Sequence, residues 1–129
     1  MTIKLKEIVR FRSDRLFEGA VDVGWFIKDP QKCHKAAEAF VFHGPKYHGV
    51  TQEEVGTSHG HALIDTASFV RSIVNCCYGS KDEPFHLAIA GYGTGKSHLA
   101  ITIATLLSSP ESKISKEILS NLKLADENI

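Results

Sequence analysis

With 129 residues, 43% of them hydrophobic and 23% charged, the chain has the size and make-up of one soluble globular domain with a single small core. Fifteen basic residues balance fifteen acidic ones, so net charge gives no argument for a polyanion or a membrane surface as an obligatory partner. No apolar run reaches the roughly 20 residues of a membrane span, and the amino terminus, MTIKLKEIVRFRSDR, alternates charge with apolar residues, so a cytoplasmic protein without a membrane partner is expected.

Residues 3–11 and 20–27 are short apolar stretches that suit strands or packed loop segments equally, because periodicity does not separate the two at this length. From Asp29 the signals sharpen. Asp29 suits an N-cap and Pro30 the first helical position, and Cys33, Ala36, Ala37, Phe40 and Val41 recur at helical spacing opposite Gln31, Lys32, Lys35 and Glu38. A helix over 29–43 is predicted, stopped by Gly44 and Pro45. The glycine-rich stretch that follows reads as a loop, with Thr51 and Glu54 as a capping box for one helical turn. A second helix is predicted over 61–78, with Leu63, Ala67, Val70, Val74 and Cys77 on one stripe and Ala62, Phe69, Ile73 and Cys76 beside it. Cys33, Cys76 and Cys77 form an odd set with an adjacent pair and no CxxC spacing, so reduced, buried thiols are expected.

The second half carries the chemistry. FHLAIA, residues 85–90, is apolar on both faces apart from His86, the pattern of a strand inside a parallel sheet. GYGTGK then supplies glycines where backbone N–H groups would curl around an anion, and KSHLAITIATLL continues as a helix over 96–107, with Leu99, Ile103 and Leu106 at helical spacing. Strand, glycine turn and helix together make the context of a phosphate-binding loop. The expected fold class is therefore α/β: a mostly helical amino-terminal segment over 1–80, followed from residue 81 by a strand, a phosphate loop and a helix. Successive N–H donors and the positive end of a helix dipole would converge on a triphosphate. In this reading Ala90, Gly91, Tyr92, Gly93, Thr94, Gly95, Lys96, Ser97 and His98 line the triphosphate site. Lys96 reaches the β- and γ-phosphates as the catalytic cation, and the Ser97 hydroxyl binds Mg²⁺.

Aligned on Gly95, Lys96 and Ser97, the Walker A pattern G-x-x-x-x-G-K-[ST] finds Ala90 in place of its first glycine. The departure is mild, because alanine is the next smallest side chain. A glycine-rich turn without a ligand is the plainer alternative. A dinucleotide-binding G-x-G-x-x-G is excluded by Lys96 where its third glycine belongs.

Residues 85–107 resemble P-loop NTPases, and within them the ATPases in which G-T-G-K-[ST] is followed by His-Leu. These are the large P-loop ATPases of bacterial phage-defence (BREX-type) islands and, as second choice, the AAA+ helicase loaders. LFEGAVDVGWFIKDP and ALIDTASFVRSIV ahead of the loop are more similar to the amino-terminal region of the defence-type ATPases. The resemblance implies ATP and Mg²⁺ as cofactors, hydrolysis-driven motion, DNA and other defence or replication proteins as partners, and a homo-oligomer at full length. A central P-loop strand needs partner strands that mostly come later in the sequence, so residues 81–129 are expected to begin an incomplete P-loop NTPase domain, cut before the second acidic strand, and the chain to be the amino-terminal part of a larger ATPase. A nucleotide-responsive interaction domain without hydrolysis is the alternative function.

Beyond the loop, SPESKISKEILSNLK predicts a helix with Ser109 as N-cap, Pro110 at the first position and Ile114, Ile118 and Leu122 on one stripe. Asp126 and Glu127 superficially resemble the acidic end of a Walker B strand. Lys123 interrupts that strand, and a solvated helix end is the plainer reading. His59 and His61 read as surface histidines. His98 either senses the nucleotide or packs against a neighbouring domain. Asp65 and Trp25 are candidates for an adenine pocket, against the commoner roles of a helix-surface carboxylate and a packed aromatic.

Overall fold

Asp29 accepts a hydrogen bond from the Lys32 amide at 3.1 Å and starts a helix whose first residue is a proline. The side-chain oxygen satisfies an amide that lacks an intrahelical acceptor, and proline loses nothing at that position. The computed structural model describes residues 20–45, 64–79, 86–88, 93 and 95–128. Among these, in chain order, are α1 (Trp25–Lys28), α2 (Pro30–Ala39), α3 (Thr66–Cys77), α4 (Lys96–Ser108) and α5 (Lys113–Ala125).

The expected α/β class is overturned, because the described residues form helices and no strand. Residues 86–88, the described part of the strand expected over 85–90, have no regular structure. His86 Nε2 instead bonds the Ser72 hydroxyl at 2.8 Å, its ring stands edge-on to Phe69, and Leu87 is exposed. A short apolar run states only that a segment prefers burial, and a strand also requires neighbours for its backbone groups.

The core forms where α2, α4 and α5 pack on one another. Ala37, Phe40, Phe42, Ala67, Val70, Leu106, Ile118 and Leu122 are buried together, with Leu99, Ile103, Ile114 and Val74 packed against them. A second cluster joins Cys33 and Ala36 of α2 to Ile101 of α4, with Val21 and Trp25 against it. α4 is thus covered along two faces. Its buried threonines tolerate this because the Thr102 hydroxyl donates to the His98 carbonyl at 2.8 Å and the Thr105 hydroxyl to that of Ile101 at 2.7 Å.

Three helix limits differ from expectation for local reasons. α2 ends at Ala39, four residues before His43, and Phe40 to Gly44 run without helical structure. Along that run Phe40, Phe42 and Gly44 are buried while Val41, expected on the apolar helix face, is exposed. The segment is pinned at α3: His43 N donates to the Thr66 hydroxyl at 2.8 Å, and Ala67 N donates to the His43 carbonyl at 3.0 Å. α3 starts at Thr66 because Asp65 caps it through Ser68 N at 2.8 Å. Residues 61–63, and with them His61 and Leu63, lie outside the described residues, as do His59 and the Thr51–Glu54 capping box. α5 is capped by Ser112, not Ser109. The Ser109 carbonyl accepts from Ser112 N at 3.0 Å and from the buried Ser115 hydroxyl at 2.7 Å, so the residues of the expected first turn form a bend before the helix.

Asp126 departs furthest from the solvated end expected of it. It follows a helix rather than a strand, which removes the Walker B likeness, and its side chain is only 3% exposed. Arg71 of α3 approaches its carboxylate at 3.5 Å, and both the amide and the side-chain nitrogen of Asn128 donate to it at 3.0 Å. Removing one side of a buried, hydrogen-bonded charge pair is costly, moderated here by the partial exposure of Arg71. Asp126→Ala should lower the unfolding free energy by about 2 kcal/mol in urea titrations. An unchanged midpoint would show that the carboxylate is solvated in the folded chain.

Candidate functional site

α2, α3 and α5 begin on a side chain that accepts a hydrogen bond: Asp29, Asp65 and Ser112. α4 does not. Its N-cap is Gly95, with no side-chain cap and a left-handed backbone at φ 84°, and Gly93 before it is also left-handed at φ 75°. Other residues pay roughly 1–2 kcal/mol to enter this region, which explains the glycines better than crowding does. A Cβ built at either position would meet nothing within 4 Å. The backbone therefore turns twice beside open space and then enters a 13-residue helix whose dipole presents its positive end there. The first intrahelical bond runs from Leu99 N to the Gly95 carbonyl at 2.9 Å.

Of the residues expected to contact nucleotide, Gly93, Gly95, Lys96, Ser97 and His98 are described. Ala90, Gly91, Tyr92 and Thr94 lie outside, and with them the expected convergence of N–H groups over 91–97. Lys96 and Ser97 are both exposed in the first turn of α4. The chain matches no family model, no curated protein and no solved structure. The site therefore rests on its own residues.

His98 is held within the chain. Its Nε2 bonds the Ala36 carbonyl of α2, which can only accept, so that nitrogen carries a proton. Its ring stands edge-to-face on Phe40 with centroids 4.9 Å apart at 89°. Burial pushes the imidazole below its ordinary value of 6.5, partly offset by the Ala36 bond, and so favours the neutral ring.

The adenine-pocket candidates have other roles. Trp25 packs against Cys33, Ala36 and Ile101, with Lys32 Nζ 5.8 Å from its ring centre, and Asp65 caps α3 rather than standing free on a helix surface. The cysteines are all free thiols, as expected, but only Cys33 is buried; Cys76 is half-buried and Cys77 exposed. Cys33 Sγ lies 3.6 Å from the Thr105 hydroxyl across the α2–α4 contact. Among the described residues no group of three or more His, Cys, Asp or Glu could hold a metal ion, and no helix is long and apolar enough to cross a membrane.

What sequence reading missed is the distant partners of three residues. Thr66 pins the chain after α2, Gly44 lies against the end of α5, and Asp126 pairs with Arg71. Their only sequence signal is chemical type, which gives no hint of partners up to 81 residues away, as for Gly44 and Ala125.

Proposed function

We propose that the chain binds ATP with Mg²⁺ at the glycine turn that leads into α4. One observation carries the reading: two left-handed glycines precede a helix with no side-chain cap, and the first two residues of that helix, Lys96 and Ser97, are exposed. Open space at Gly93 and Gly95 suits the close approach of phosphate oxygens to backbone. Lys96 would neutralise the β- and γ-phosphates, and the Ser97 hydroxyl would hold Mg²⁺. Bound Mg²⁺ would screen the phosphate charges from one another.

The wider role we attach to this site is that of a cytoplasmic ATP-dependent switch in DNA processing or phage defence, acting with defence or replication proteins and DNA. A nucleotide-responsive interaction domain without hydrolysis is the second reading. It is favoured by Asp126, an acidic residue beyond the loop, being committed to Arg71 and Asn128.

Isothermal titration of the chain with ATP in excess Mg²⁺ tests the binding. Saturable one-to-one heat that disappears when Mg²⁺ and ATP are replaced by adenosine supports a phosphate-directed site. No saturable heat up to millimolar ATP, with the helical circular dichroism intact, would refute it.

A further inference from the structure

We infer that His98 is the positioning residue that transmits occupancy of the glycine turn to α2, through its hydrogen bond to the Ala36 carbonyl. The inference rests on the ATP reading and extends it from binding to signalling within the chain.

The two side chains of the proposed site belong to the first turn of α4, so whatever fixes that turn fixes their aim. Lys96 and Ser97 are exposed, and His98 is the first half-buried residue of the helix. Its ring crosses to α2 and makes two contacts of different kinds. Nε2–H donates to Ala36, and the ring edge meets Phe40, which itself stands edge-on to Phe42 at 4.9 Å in the main core. The His98 carbonyl is held as well, by the Thr102 hydroxyl at 2.8 Å.

The receiving end is also defined. Ala36 belongs to the last turn of α2, where helix carbonyls lose their partners four residues on. The Phe40 amide, the regular partner for Ala36, bonds the Ala37 carbonyl instead at 3.3 Å. His98 thus supplies a donor that the end of α2 lacks, and a shift of the α4 first turn toward a phosphate alters that bond directly. From α2 the effect has a route onward, since Asn121 of α5 donates to the Glu38 carbonyl at 3.3 Å in the same turn.

The test is a titration of Mg·ATP into the ¹³C,¹⁵N-labelled chain followed by NMR. The amides of Gly93, Gly95 and Ser97 should shift with saturation, and the His98 ring Nε2 and the Ala36 carbonyl carbon should follow the same curve. His98→Ala should abolish the Ala36 response and weaken ATP binding about fivefold, the effect of one lost hydrogen bond. His98→Gln, whose amide can still donate to Ala36, should restore both, which a purely space-filling role would not. Loop amides that shift while His98 and Ala36 stay still would overturn the coupling and leave ATP binding intact. An Ala36 response that survives His98→Ala would overturn it too. Loop amides that do not move at all would refute the ATP reading and the coupling with it.

Discussion

Gly44→Ala should destabilise the fold by about 3 kcal/mol, at the upper end of overpacking penalties. Gly44 is buried, and a Cβ placed on it would overlap the backbone carbonyl oxygen of Ala125. The obstacle is main chain, so no rotamer change relieves it. Neither side is free to retreat. The residue before Gly44 is held to α3 through Thr66 and Ala67, and the residue after Ala125 is held to α3 through Arg71. Gly79→Ala is the informative control, since Gly79 has a left-handed backbone but open space around it. That variant should lose only the conformational penalty, roughly 1 kcal/mol. Urea midpoints for the two variants measure the difference. Equal losses would mean that the α2–α3 connection moves away from α5 at little cost.

Gly44 also shows what the sequence made legible. Its sequence signal is that of a helix stop, a local role, whereas its place in the fold depends on a carbonyl 81 residues away. The starts of α2 and α4 were legible because they are written in adjacent residues: Asp29 with Pro30, and Gly95 ahead of Lys96. The start of α5 was not, because Ser109-Pro110 and Ser112 are equally good local starts, and the choice falls to the buried Ser115 hydroxyl reaching back to Ser109. Phe40 fits both a helical stripe and an alternating extended run. Thr66, bonded to His43, favours the second. The strand expected at 85–90 is absent over 86–88, its described part, for a related reason. Apolar character on both faces records a demand for cover, and among the described residues that cover comes from helix-to-helix packing, with Leu87 left exposed. At the candidate site the local features were legible, namely two glycines, a lysine and a serine. The inward turn of His98 was not, since a histidine after Ser97 is compatible with solvent, ligand or a neighbouring helix until Ala36 and Phe40 are seen beside it.

Lys96→Ala should weaken ATP binding about tenfold to a hundredfold, because hydrogen bonds to a charged group contribute roughly 1.5–3 kcal/mol. Lys96 is exposed at the first position of α4, so the substitution removes a charge without opening a cavity, and alanine is the best helix former for that position. Melting temperature in the absence of ligand, measured alongside, separates lost binding from lost folding. Ser97→Ala makes a different demand: it should leave Mg²⁺-free ATP binding nearly unchanged and reduce the gain in affinity that Mg²⁺ confers, since only the metal contact is removed. Phosphate release measured on the same three proteins distinguishes the two proposed roles. Binding without release fits the nucleotide-responsive interaction domain and agrees with Asp126 being occupied by Arg71 and Asn128. Turnover near one per second that vanishes in Lys96→Ala would require an acid and a water-orienting group from elsewhere, and would favour the switch ATPase. Equal ATP affinity in the parent chain and Lys96→Ala would remove the phosphate site altogether, because no arrangement of the α4 first turn that cradles a triphosphate leaves that lysine without effect.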